Sequence, residues 1–174
     1  SEAQLENLLK NFNRLQPALG RMQPVGILKN KACIFIDFAH SPDALENVLN
    51  LARTIAKSRV VVLFGCGGNR DAKKRQIMGR IACSLADLVI VTDDNPRLEK
   101  PEDIRREILS ACNMLKTTEI AGRKEAIEKA ITMLENDDIL ILAGKGHEKY
   151  QIIGDKKFEF DEELIVKNAI AKSA

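Results

Sequence analysis

With 174 residues, 45% of them hydrophobic and 30% charged, the chain has the make-up of one globular domain with a sizeable core. Its 27 basic and 25 acidic residues leave a formal net charge of +2, and without a long basic tract nothing points to nucleic acid. No apolar run reaches the roughly 18 residues of a spanning helix, and the opening residues lack the pattern of a signal peptide, so the expectation is no membrane insertion and a cytoplasmic location.

Taken in order, Leu5, Leu8, Leu9, Phe12 and Leu15 recur at helical steps and predict a helix over 1–15, broken by Pro17 and Gly20. Residues 20–26 read as a linker or short strand, and 28–31 as a hairpin turn. A strong strand covers 32–38. Ser41 then caps a helix with Pro42 at its first position and Asp43 near its positive end. Val60-Val61-Val62-Leu63-Phe64 is a buried strand, followed by a helix over 72–85. Leu88-Val89-Ile90-Val91 is another strand, then a helix from Pro101 to about 115 and a weak strand near 118–120. A helix over 122–134 precedes a strand over 138–143. Residues 150–153 and 157–160 flank Gly154-Asp155 as a hairpin at the sheet edge, and Asp161 caps a closing helix. The pattern predicts an α/β, Rossmann-like fold: a mostly parallel mixed sheet flanked by helices, with an antiparallel edge hairpin.

Four strands end in polar or glycine-rich loops: residues 37–41, 65–70, 92–97 and 144–148. In a parallel sheet such loops gather along the carboxyl edge, where ligands bind. Asp94, Asn95, Pro96 and Arg97 combine a carboxylate, an amide, a stiffening ring and a guanidinium. That set suits a ligand with both amine and carboxylate, although Asp-Asn-Pro is also ordinary turn chemistry. Gly65-Cys66-Gly67-Gly68 brings backbone close to a ligand or simply makes a tight turn; it matches no phosphate-binding motif. Arg70 is a candidate to face an anion, while Lys73, Lys74 and Arg75 read rather as a solvated helix face. His40 is either a nucleotide contact or a turn histidine, and no catalytic triad is recognisable. His147 beside Glu148 lacks metal-ligand spacing. Glu148 suits an ammonium, and Lys145 is either a phosphate contact or a surface lysine. Cys33, Cys66, Cys83 and Cys112 match neither zinc nor redox spacing and read as free thiols, mostly buried, in a reducing compartment.

Asp37-Phe38-Ala39-His40-Ser41-Pro42-Asp43, Gly65-Cys66-Gly67-Gly68-Asn69-Arg70-Asp71, Asp94-Asn95-Pro96-Arg97 and Gly144-Lys145-Gly146-His147-Glu148 stand in the order and spacing of the Mur ligases. The chain resembles the members that add meso-diaminopimelate to UDP-MurNAc-L-Ala-D-Glu (UDP-N-acetylmuramoyl-L-alanyl-D-glutamate) in peptidoglycan synthesis. The resemblance implies a three-domain enzyme using ATP and Mg2+, with residues 21–174 as its C-terminal domain and residues 1–20 as the tail of the central ATPase domain. On that reading the metal ligands, the P-loop and any catalytic residues lie outside this chain, which is inactive alone. The same resemblance implies that Arg70, Asp94, Asn95, Pro96, Arg97, Gly144 and Glu148 hold meso-diaminopimelate, and that Arg21, Asp37 and His40 contact the nucleotide. Phe38, Gln23, Asn69 and Gln76 depart from the usual family residues. Two alternatives stay open: a lysine-adding or other Mur-type domain, or a non-catalytic Rossmann-like binding module.

Overall fold

The structure, a computed structural model, describes residues 19–172; the helix expected over 1–15 lies outside them. Strands β1 (Gln23–Ile27), β2 (Cys33–Asp37), β3 (Val60–Phe64), β4 (Leu88–Val91), β5 (Thr117–Glu119) and β6 (Ile139–Ala143) form one sheet in the order β1-β2-β6-β3-β4-β5. All neighbours are parallel except β1, which pairs antiparallel with β2 through the turn at 28–31. The linker-or-strand stretch is thus a strand, and only one edge of the sheet is antiparallel.

Every residue of β3 and of β6 is buried, as expected of central strands covered on both faces. Alternate side chains sort to the two sides. Val60, Val62 and Phe64 pack with α1 (Pro42–Ile55), α2 (Lys73–Leu85) and α3 (Pro101–Leu109), through Leu45, Leu49, Met78 and Ile108 among others. Val61 and Leu63 pack with α4 (Arg123–Thr132) and α5 (Glu162–Lys172), through Ile127, Ile131 and Val166.

Local chemistry sets the helix ends. The Ser41 hydroxyl accepts the Ala44 N–H at 3.4 Å, with Pro42 in the first turn of α1. Helix α3 stops at Leu109, short of the expected 115. There the Ser110 hydroxyl bonds the Glu107 carbonyl and the Asn113 side chain takes the Leu115 N–H, so the backbone leaves the helix in side-chain-supported turns. At the start of α5 the Asp161 carboxylate accepts the Leu164 N–H at 3.1 Å.

The expected hairpin forms from β7 (Tyr150–Ile153) and β8 (Lys156–Glu159), as a two-stranded sheet of its own. Instead of extending the main sheet it lies against the loop after β4. A parallel bridge joins Arg97 to Ile153, with Arg97 N–H donating to Ile152 and Gly154 N–H donating to Arg97.

Candidate functional site

The loops after β2, β3, β4 and β6 do meet at the carboxyl edge. They enclose a cleft of about 440 Å³ lined by Phe38, His40, Gly67, Arg70, Asp71, Lys74, Asp94, Asn95, Arg97, Gly144 and Glu148. Six of the seven residues expected to hold the amino acid line it. The seventh, Pro96, is buried directly beneath, hydrogen-bonded through its carbonyl to the Glu99 N–H.

Close backbone approach makes this convergence possible. A Cβ on Gly65 would strike the Thr92 carbonyl oxygen, and one on Gly68 the Pro96 carbonyl oxygen. The glycine loop therefore nests against the loop after β4, tied by Gly68 N–H to the Asn95 carbonyl at 2.9 Å and by Arg97 Nη1 to the Gly68 carbonyl at 2.9 Å. Gly144 takes φ +119°, and a Cβ there would come within 2.7 Å of Asp94 Oδ2. Arg97 itself has φ +53°, a left-handed conformation costly for a non-glycine residue, and the bridge to the hairpin holds it there. Asn69, also left-handed at φ +52°, is a residue type that tolerates it, and its Oδ1 accepts the Leu98 N–H at 3.0 Å.

The cleft is electrostatically mixed. Arg70, Arg97 and Lys74 supply positive charge; Asp71, Asp94 and Glu148 supply negative charge. Asn95 Nδ2 donates to Glu148 Oε2 at 3.0 Å, and Tyr150 lies with its hydroxyl 3.4 Å from Glu148 Oε1. The Glu148 charge pushes the Tyr150 phenol above its ordinary pKa.

On the nucleotide side of the expectation, His40 lines the cleft and its Nδ1 sits 2.8 Å from the Phe38 carbonyl. Its ring packs on Phe38, with centroids 4.5 Å apart, and the Arg21 guanidinium lies 5.5 Å from the same ring. Arg21 and Asp37 are not among the cleft-lining residues. Asp37 is buried and its Oδ2 accepts the Met22 N–H at 2.7 Å, tying β1's approach to the end of β2.

Three charged positions differ from their sequence reading. Arg75 is no solvated lysine-like neighbour: it is buried at 1% exposure, paired to Glu99 at 2.7 Å and Glu107 at 3.1 Å. Lys74 folds back to donate to the His40 carbonyl at 2.7 Å. Lys145 is neither surface lysine nor cleft-lining; it is fully buried behind the site. Sequence reasoning also missed Arg123 and Glu162, which form a buried pair at 2.6 Å, with Arg123 Nη2 on the Ala143 carbonyl. Burial drives the Glu162 carboxyl above its ordinary pKa despite that partner. Nothing in an isolated Arg or Glu code announces such burial; the only local hint is that each opens a helix.

The four cysteines are free, with Cys66 buried and the others half-buried. Burial pushes the Cys66 thiol up to about 12, which makes it inert.

Fold and cleft together define an open α/β domain with a cleft of mixed charge at the carboxyl edge of its sheet. The chain matches the family described as "Mur ligase, glutamate ligase domain" over residues 20–146 and belongs to it. It is 49% identical over 166 residues to the UDP-N-acetylmuramoyl-L-alanyl-D-glutamate–2,6-diaminopimelate ligase of Rickettsia felis, covering 94% of this chain and 31% of that protein. The same-named ligase of Rhizobium meliloti is 53% identical over 159 residues, covering 91% of this chain and 32% of that protein. A solved structure of a ligase of that name superposes with a TM-score of 0.84 at 36% identity, covering 95% of this chain and 34% of that one. The chain therefore spans about a third of the length of these relatives.

Proposed function

We propose that this chain is the amino-acid- and nucleotide-contacting C-terminal domain, residues 21–174, of an ATP-dependent amide ligase. The full enzyme adds meso-diaminopimelate to UDP-MurNAc-L-Ala-D-Glu in peptidoglycan synthesis, with residues 1–20 leading in from its central domain. The observation that carries this reading is the charge make-up of the cleft, where Arg70 and Arg97 line the same space of about 440 Å³ as Asp94 and Glu148. An amino acid with a second amine and carboxylate at its far end offers matching groups. The guanidinium of Arg97 forks onto the distal carboxylate, and Asp94 and Glu148 accept from the distal ammonium. Gly144 leaves room beside Asp94 where a side chain would not fit.

The names of the relatives at about 50% identity support the choice of diaminopimelate. Lysine lacks the distal carboxylate, so binding it would leave Arg97 without that partner, which disfavours a lysine-adding enzyme.

In such a ligase ATP converts the substrate carboxylate to an acyl phosphate. The amine attacks the acyl carbon, and the tetrahedral intermediate expels phosphate to leave the amide. This domain's share is placement: it holds the nucleophilic amino acid and brings it to the acyl phosphate as the domains close. Arg21 and His40, at the Phe38 end of the cleft, are the residues proposed to meet ATP, with Asp37 behind them. On this reading Mg2+ and the P-loop belong to the preceding domain, and the 174-residue sequence carries no G-x-x-x-x-G-K-[ST] of its own. The 174-residue chain alone is accordingly expected to show no ligase turnover.

Calorimetry of the full-length protein with meso-diaminopimelate and with lysine tests the reading. Heat of binding with the first and none with the second is expected; equal affinity for both overturns the assignment.

A further inference from the structure

Lys145 follows Gly144 at the end of β6, yet its side chain turns inward and is fully buried. A buried ammonium is costly unless its protons find acceptors. Lys145 Nζ donates to Asn95 Oδ1 at 2.9 Å and to the Tyr150 carbonyl at 2.8 Å. Asp94 Oδ1 and Glu148 Oε2 stand slightly further off, at 3.7 and 3.8 Å, and the Phe160 ring lies 5.6 Å away. Burial lowers its pKa, while Asp94 and Glu148 oppose that shift by favouring the charged form.

The consequence falls on Asn95. Its Oδ1 receives a second donor, the Ile152 backbone N–H at 2.9 Å. Neither an ammonium nor a peptide N–H has a lone pair to offer, so both demand the amide oxygen. The amide nitrogen is thereby forced to the other side, where one proton goes to Glu148 Oε2 at 3.0 Å. The second has no protein acceptor among the described residues, and Asn95 lines the cleft. A flipped amide would set two oxygens against each other at Glu148 and two donors against each other at Lys145.

We propose that Lys145 is a positioning residue that sets the hydrogen-bond polarity of the cleft without touching the ligand. It locks Asn95 as a donor suited to a carboxylate, and its charge holds Asp94 and Glu148 together as acceptors suited to an ammonium. The inference rests on the amino-acid reading of the cleft given above. It adds specificity for zwitterionic groups in one orientation, because an amine at the Asn95 position would meet a donor.

The test uses the full-length enzyme with Lys145→Met, Asn95→Ala and the double variant. Lys145→Met is expected to raise KM for meso-diaminopimelate roughly ten- to a hundredfold, leaving KM for ATP unchanged and kcat at saturation within about threefold. The double variant is expected to be no worse than the poorer single one, because both changes remove the same oriented amide. An unchanged KM in Lys145→Met overturns the proposal, as do penalties that multiply in the double variant. Loss of folded protein in Lys145→Met also overturns it, by making the residue a purely structural counter-ion. If the wild-type enzyme uses a different amino acid, the substrate reading above fails instead, and the same coupling is read with that amino acid.

Discussion

Arg97 and Gly68 hold each other at the wall of the cleft: the guanidinium donates to the Gly68 carbonyl at 2.9 Å, joining loops from adjacent strands β4 and β3. The contact tolerates no side chain at position 68, where a Cβ would run into the Pro96 carbonyl and sit 3.2 Å from Glu99 Cβ. Gly154 provides the comparison, since it has φ +63° but open space around its missing Cβ. We expect Gly68→Ala to lower unfolding free energy by about 2–3 kcal/mol, through overpacking against backbone. Gly154→Ala is expected to cost about 1 kcal/mol, from backbone conformation alone. Denaturant titrations of both variants check this, and equal losses would show that the steric contact is not the cause.

Arg97 is also the residue on which substrate choice is proposed to turn. Truncating its side chain removes the tie to the Gly68 carbonyl but leaves the backbone bonds to Ile152 and Gly154 and the Gly68 N–H on the Asn95 carbonyl, which keep the loop path. In the full-length enzyme Arg97→Ala is expected to raise KM for meso-diaminopimelate at least about tenfold, with KM for ATP changed less than about twofold. Arg97→Lys is expected to recover only part of this, because a point charge cannot fork onto a carboxylate. Equal effects on both substrates would assign Arg97 to domain closure instead.

The strands of the core were legible because their code is local: short continuous apolar runs at 60–64, 88–91 and 139–143, rich in Val and Ile, suit strands buried on both faces. The convergence of four loops was legible too, since a parallel sheet forces loops that follow its strands to one edge. What stayed hidden was long-range charge pairing. Arg75 looked like part of a solvated basic run because its partners, Glu99 and Glu107, are 24 and 32 residues away. Lys145 was ambiguous for the same reason, its side-chain hydrogen-bond partner Asn95 lying 50 residues upstream. The place of the hairpin was equally invisible: its pairing partner is a single bridge at Arg97, which no strand pattern encodes.

Glu99 ties that hidden pairing to the cleft. One carboxylate oxygen accepts the Asn69 N–H and the other pairs with buried Arg75 at 2.7 Å. The Asn69 bond, helped by Arg75, holds the Glu99 carboxyl below its usual range. Removing Glu99 leaves Arg75 with Glu107 as its one acidic partner among the described residues and frees the residue next to Arg70. Glu99→Ala is expected to cost about 2 kcal/mol of stability, less than for a fully buried pair because Glu99 is a third exposed. It is also expected to weaken amino-acid binding in the full enzyme, whereas Glu107→Ala, on the same arginine but away from Asn69, is expected to spare binding. Melting curves and calorimetry on the two variants decide it; identical binding losses would detach Glu99 from the loop.

At the opposite end of the sheet, Asp138 sets an acid limit on the fold. The side chain is fully buried and accepts from Arg59 Nη2 at 2.7 Å, from the Arg59 N–H at 3.1 Å and from the Glu135 N–H at 2.7 Å. Burial pushes its pKa up most strongly as a single influence, but the Arg59 and Glu135 bonds together outweigh it, and the net shift is downward. A carboxyl whose folded pKa lies below its unfolded value stabilises the fold above the unfolded value, near 4. That contribution is lost as pH falls through the folded value, because the proton then binds the unfolded chain first. Asp138→Asn keeps the shape and removes the charge, so it is expected to be about 2 kcal/mol less stable than wild type at neutral pH. The gap is expected to narrow steadily as pH drops below about 4, where wild type itself becomes protonated. Unfolding free energies measured from pH 7 down to pH 3 for both proteins give the answer, and a gap that stays constant would place the acid sensitivity on another carboxylate.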